Sequence, residues 1–274
     1  MSSHNHEDNG TVAIINGLAL NYGDTGSGTP ILLIHGYPLS RHMWRCQTDA
    51  LVAAGYRVIT PDLRGFGRSD APAGPYGMET FADDAVALLD HLEIDRAVVG
   101  GMSMGGYVLL NLLERYPARV SAACFLMTRA TADDEAGKAR RLALSQEVQR
   151  FGPQVIVNMF RQMLFAPDTL EANQLLVDEI CQIMADTPTA GLAGALLAMR
   201  ERKDYTPLLG TFRLPALIMG GDQDQAVPLE QLRIIEAGLP NSTIRIIPGG
   251  GHLVNLEQPD RFNSALLEFL QSLS

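Results

Sequence analysis

Residues 98–117, VVGGMSMGGYVLLNLLERYP, run from an apolar, strand-like stretch through four glycines around Ser103 into a helix-like pattern. Small residues crowded about one serine at a strand-to-helix corner have two readings. Ser103 could simply cap the following helix, as serine often does. Alternatively, Gly101-Met102-Ser103-Met104-Gly105 is a G-x-S-x-G turn that lifts a nucleophile above a sheet on strained backbone, with the glycines letting strand and helix approach closely. A serine hydroxyl is a weak nucleophile by itself, so the second reading requires a base, an acid to orient it and an oxyanion site elsewhere in the chain.

The surrounding pattern fits such a corner. TVAII and LALNY flank Asn16-Gly17, a pair that accepts positive φ at both turn positions, so the chain is expected to open with a β-hairpin. PILLIHG, YRVITPD, AVVGG, AACFLMT, PALIMGG and TIRIIPG are short, apolar on both faces and rich in branched residues, as buried parallel strands should be. Helical patterns separate most of them; METFADDAVALLDHLEI places its acidic residues opposite the apolar stripe, and DRFNSALLEFLQSL closes the chain. The expected fold is α/β, a doubly wound, mostly parallel sheet with helices on both faces. Residues 129–212 break the alternation with helical patterns only, which Gly152-Pro153, Pro167 and Pro188 divide into about four helices. This segment reads as a helical cap inserted into a core made of residues 1–128 and 213–274, covering the strand ends where open α/β sheets bind ligands. Met159, Met163, Leu164, Met184 and Met199 either line an acyl pocket there or pack the cap onto the sheet.

Composition narrows the partners. The 274 residues carry 21 Lys+Arg against 31 Asp+Glu, and a formal charge of −10 repels nucleic acid and anionic lipid. Cys46, Cys124 and Cys181 are too few and too widely spaced for a disulfide framework or a metal-ligand pair, which suits a reducing compartment. The polar MSSHNHEDNG start has no signal-peptide pattern, and no apolar run is long enough to span a bilayer, so a cytoplasmic protein is expected. Neither a metal nor an organic cofactor is expected. The sequence leaves monomer and homodimer open.

Among the six histidines, His4 and His6 lie in the polar start and His42 and His91 in helical patterns. His35, at a strand end beside Gly36, suits a loop-bracing hydrogen bond to backbone. His252 remains as the base, in a glycine-rich loop after TIRIIP and before the last helix. The acid then comes from GGDQDQAVP, which offers Asp222 and Asp224; the Gly220-Gly221 pair suggests a turn that carries Asp224 over the sheet edge. The chain order Ser, Asp, His is compatible with a strand-turn-helix nucleophile on a sheet of this architecture.

The chain resembles the α/β-hydrolase superfamily along nearly its whole length. LLIHGYP is similar to that family's H-G-x-P loop, DLRGFGRSD to its D-x-R-G-x-G-x-S turn, GGDQDQAVP to the stretch bearing the triad acid and GGGHLVNLEQP to the loop bearing the triad histidine. The resemblance implies a catalytic triad of Ser103, Asp224 and His252, with the backbone N–H groups of Tyr37 and Met104 as oxyanion hole. It is greatest to the capped esterase, lactonase and cofactor-free perhydrolase branch. Epoxide hydrolases and haloalkane dehalogenases place Asp where Ser103 stands, and carbon–carbon bond hydrolases often place Asn where Met102 stands. The expected activity is therefore that of a serine carboxylesterase on a small ester. Lactonase or perhydrolase action by the same triad, carbon–carbon bond hydrolysis and a non-catalytic ligand receptor are the alternatives. A cap with few obvious cationic clusters points to mostly uncharged substrates, with Arg129 either gripping a substrate carboxylate or standing exposed at the cap hinge.

Overall fold

The structure, a computed structural model, describes residues 10–273. His4 and His6 lie outside them. Eight strands form one sheet: β1 (Thr11–Ile15), β2 (Leu18–Gly26), β3 (Pro30–Ile34), β4 (Arg57–Pro61), β5 (Ala97–Met102), β6 (Val120–Leu126), β7 (Ala216–Gly221) and β8 (Ser242–Ile247). Their spatial order is β1-β2-β4-β3-β5-β6-β7-β8, with β2 antiparallel to both β1 and β4 and every other pair parallel. Asn16 and Gly17 both have positive φ, the geometry expected of the first hairpin.

Each central strand is an apolar run because it is covered on both faces; β5 is buried at every position. TIRIIPG departs from the expectation. β8 is the sheet's last strand, so only one flank is paired, and Ile244 and Ile246 are half-buried.

Helices α1 (Arg45–Ala53), α2 (Met78–His91) and α3 (Met104–Arg115) fill the crossovers of the first half. In α2 the acidic residues do not all face solvent. Asp84 is 1% exposed and forms a two-pronged ion pair with Arg64 at 2.5 and 2.6 Å, which fastens the DLRGFGRSD loop to the helix.

Between β6 and β7 the chain forms five α-helices rather than four: α4 (Glu135–Phe151), α5 (Gln154–Met163), α6 (Pro167–Ala172), α7 (Gln174–Asp186) and α8 (Thr189–Arg200), then a 3₁₀ turn over Thr206–Thr211. The additional break is at Asn173, whose side chain accepts from the Leu176 N–H and so starts α7 immediately after α6. Asp134 caps α4 in the same way, accepting from the Gly137 N–H. Three further helices complete the fold: α9 (Leu229–Gly238), the single turn α10 (Val254–Glu257) and α11 (Pro259–Gln271), which buries Phe262, Leu266, Phe269 and Leu270 at helical spacing. No helix of the described residues is long and apolar enough to cross a membrane.

Candidate active site

Ser103 links β5 to α3 with φ 52° and ψ −113°, a conformation that side chains rarely adopt. The glycines around it explain how the corner closes. A Cβ on Gly101 would stand 2.2 Å from the Gly105 carbonyl oxygen, one on Gly105 2.3 Å from that of Ile34, and one on Gly106 2.2 Å from Thr128 Oγ1. Strand β3, strand β5 and helix α3 thus meet at distances only glycine allows. The Ser103 backbone is held on both sides: its N–H donates to the Leu126 carbonyl at 2.9 Å, and its carbonyl accepts from Thr128 Oγ1 at 2.7 Å. Its side chain makes no cap bond to α3.

The loop after β8 brings His252 to the same place, 2% exposed. Its Nδ1 lies 2.7 Å from Asp224 Oδ2, while Asp224 Oδ1 accepts the N–H groups of Ala226 and Val227, both at 2.8 Å. The carboxylate is fixed by its own turn, so an Nδ1–H directed at Oδ2 leaves Nε2 as the free basic nitrogen. Asp222 turns elsewhere and accepts the Gly249 N–H at 2.7 Å. No hydrogen bond joins Ser103 to His252 in this resting geometry; bonds of that kind often tighten only around substrate.

Met104 follows Ser103 in the chain, and Tyr37 lines a cavity with it. Met104 is the first residue of α3, so its N–H has no helical acceptor, and among the described residues neither its N–H nor that of Tyr37 donates to a protein acceptor. Backbone amides without a protein acceptor are free to receive an oxyanion. His35 does not line the cavity that holds Ser103 and His252. It is fully buried, with Nε2 accepting the Leu63 N–H at 3.0 Å and Nδ1 donating to the Gly36 carbonyl at 2.9 Å. Burial holds its pKa below the ordinary value, in keeping with a neutral ring.

Ser103, His252 and Tyr37 line one cavity of about 430 Å³ beneath the helices that follow β6. A larger cleft of about 780 Å³ along Arg41, Arg45 and Arg68 contains none of these three residues. The two readings of the cap methionines divide by residue. Met159, Met163 and Met199 line the cavity, while Leu164 and Met184 are buried packing. Of the aromatic residues Tyr37, Tyr107 and Phe160 line it, whereas Trp44, Phe66 and Phe125 are fully buried supports.

Sequence reasoning missed two features. Asp133 sits between Arg202, at 2.7 Å, and Arg141; burial opposes its charge, but the two arginines hold its pKa down to about 2. Glu257 Oε2 accepts from the Ala166 N–H at 3.0 Å, Thr169 Oγ1 at 2.7 Å and the Gly251 N–H at 3.3 Å, joining the start of α6 to the histidine loop. Glu257 lies inside the motif-bearing stretch, yet its partners are about 90 residues away and no local pattern announces them.

A family model described as alpha/beta hydrolase fold matches residues 29–259. The chain belongs to that family. Among other α/β hydrolases, it is 31% identical to a non-heme haloperoxidase of Rhodococcus erythropolis, covering 95% of this chain and 99% of that one. It is also 31% identical to 3-oxoadipate enol-lactonase 2 of Acinetobacter baylyi, over 91% and 92% of the two chains. A solved thermophilic esterase from Thermogutta terrifontis, with malate bound, superposes with TM-score 0.92 at 35% identity, over 96% and 98% of the chains. These likenesses support a hydrolase.

Proposed function

We propose that the protein is a serine carboxylesterase working through an acyl-enzyme, with Ser103 as nucleophile, His252 as general base and acid, Asp224 as its orienting carboxylate and the Tyr37 and Met104 amides as oxyanion hole. One observation carries the reading: a serine on strained strand-to-helix backbone shares a small cavity with a buried histidine whose Nδ1 is 2.7 Å from a turn-locked aspartate.

The steps balance without an added cofactor. Ser103 Oγ attacks the ester carbonyl carbon while His252 Nε2 takes the hydroxyl proton, and the Tyr37 and Met104 amides receive the oxyanion. Collapse expels the alcohol, which leaves with the proton from His252. Water then gives a proton to Nε2 and its oxygen attacks the acyl carbon, and the returning proton restores Ser103 as the acid departs. Asp224 stabilises the imidazolium in both halves. The same groups can open a lactone, in which the leaving alcohol stays attached to the acyl chain.

The test is turnover of chromogenic acetate and butyrate esters by wild type and Ser103→Ala. Loss of about 10⁴-fold or more in kcat is expected when the covalent route is removed. A folded Ser103→Ala protein with near wild-type turnover would sink the mechanism, and a single slow acylation by wild type would point to a receptor instead.

A further inference from the structure

The cavity at Ser103 contains polar groups that ester hydrolysis leaves unused. The phenol oxygen of Tyr37 is buried, yet it has no hydrogen-bond partner among the described residues, although Tyr37 is only 4% exposed and lines the cavity. Burial pushes the phenol's pKa well above its ordinary value, so it stays protonated and able to donate. Arg129 lines the same cavity. Its Nη2 donates to the Ala226 carbonyl at 2.6 Å, but its buried Nε has no partner, and no carboxylate among the described residues pairs with it. The obvious neighbour, Asp133, is already held by Arg141 and Arg202.

The charge around the cavity agrees. Three arginines, Arg129, Arg140 and Arg141, line it against two carboxylates, Asp133 and Glu147, in a chain whose formal charge is −10. A local excess of cation in an acidic protein, with unspent donors buried beside the nucleophile, suits an anion that enters with the substrate. A guanidinium offers only donors, in a flat fork that matches a carboxylate's two oxygens. Arg129 and Ser103 line the same cavity of about 430 Å³, which keeps a bound second group within a few bonds of the scissile carbonyl.

We infer that the substrate is an ester or lactone bearing a free carboxylate, with Arg129 and the Tyr37 hydroxyl receiving that carboxylate while its ester carbonyl lies at Ser103. This rests on the serine-hydrolase reading and replaces the expectation of mostly uncharged esters with the half-esters of short dicarboxylic acids and their lactone counterparts. A competing role for Arg129 is to brace the Asp224 turn through the Ala226 carbonyl.

The test compares monomethyl glutarate with the methyl ester that has a carboxamide in place of the free acid, so that shape is kept and charge removed. For wild type, kcat/KM should favour the half-ester by about tenfold or more, the ordinary size of a hydrogen-bonded charge contact. That preference ratio should fall about tenfold in Arg129→Met, fall several-fold in Tyr37→Phe and partly return in Arg129→Lys. A ratio within one variant is blind to general loss of activity. An unchanged ratio with lower turnover in Arg129→Met would assign the arginine to bracing alone and overturn the inference. Free glutarate should compete with a neutral ester on wild type while glutaramide should not, a measurement that needs no variant to fold. Turnover of both esters with a ratio near one overturns this inference and leaves the hydrolase standing; no turnover of any ester overturns both.

Discussion

Replacing Glu257 by alanine and by glutamine separates two things its carboxylate does: joining the cap to the histidine loop, and holding a negative charge in a place that resists it. Alanine leaves the Ala166 N–H, the Thr169 hydroxyl and the Gly251 N–H without their acceptor. An unsatisfied buried donor costs about 1–3 kcal/mol, but water can reach part of this site, so we expect about 3 kcal/mol in all rather than the full sum. For a chain of this size that is a fall in Tm of roughly 6 °C. Since Gly251 precedes His252, kcat should fall as well, by up to about 10²-fold if the ring shifts by about an ångström. Glutamine retains an acceptor and removes the charge. Burial raises the Glu257 pKa above its ordinary 4.5. A carboxyl raised in the fold gives stability that is present below its unfolded pKa and is lost as pH climbs through the folded one. Glu257→Gln should therefore gain on wild type as pH rises from about 4.5 towards 7. Urea denaturation of the three proteins at pH 4.5 and 7, with kcat at pH 7, checks both halves. An alanine variant as stable and active as wild type would refute the joining role, and a glutamine variant that loses ground with rising pH would refute the charge argument.

Asp224→Asn should lower kcat by about 10⁴-fold in a folded protein: if its oxygen keeps the Ala226 and Val227 N–H bonds, the new amide faces His252 Nδ1 and forces the ring proton onto Nε2, which can no longer accept from Ser103. Asp222→Asn keeps an acceptor for Gly249 and should change stability by less than about 1 kcal/mol with kcat largely retained; the reverse ranking of the two variants would overturn the assignment. Arg202 and Arg141 hold Asp133 at a pKa of about 2, so its ion pairs contribute about 2 kcal/mol that is present above pH 4 and lost as pH falls from 3.8 towards 2. Asp133→Asn should lack that part of the acid-unfolding slope, and an identical slope in both proteins would refute it. A cavity of about 430 Å³ should favour short acyl chains over those beyond about C10, and faster hydrolysis of emulsified long-chain lipid would contradict that.

The sheet was readable because a strand covered on both faces must be apolar throughout, and β3, β5 and β7 meet that demand in sequence as they do in space. The same rule overstated β8. Whether a strand lies at the centre or the edge depends on how many neighbours pair with it, and TIRII does not encode that number. Asp84 shows a related limit. Helical periodicity assigns it a side of α2, but Arg64, 20 residues earlier, and Asn16, 68 residues earlier, make burial of that carboxylate tolerable.

The three residues proposed as nucleophile, base and acid stood out for a different reason: each sits where a glycine-rich turn leaves a strand of the sheet, so local chemistry and position coincide. The charge of the cavity had no such marker. Taken one at a time, Arg129 is a hinge residue, Arg141 and Asp133 belong to a polar helix entry and Arg202 follows a helix end. Folding brings Arg141 and Arg202 onto Asp133 and so uses up that carboxylate, leaving Arg129, in the cavity it shares with Ser103, with a buried donor unmatched. The cationic character of this cavity is thus a remainder, left after pairing among residues up to 69 positions apart, and it is defined only once the helices between β6 and β7 are in place.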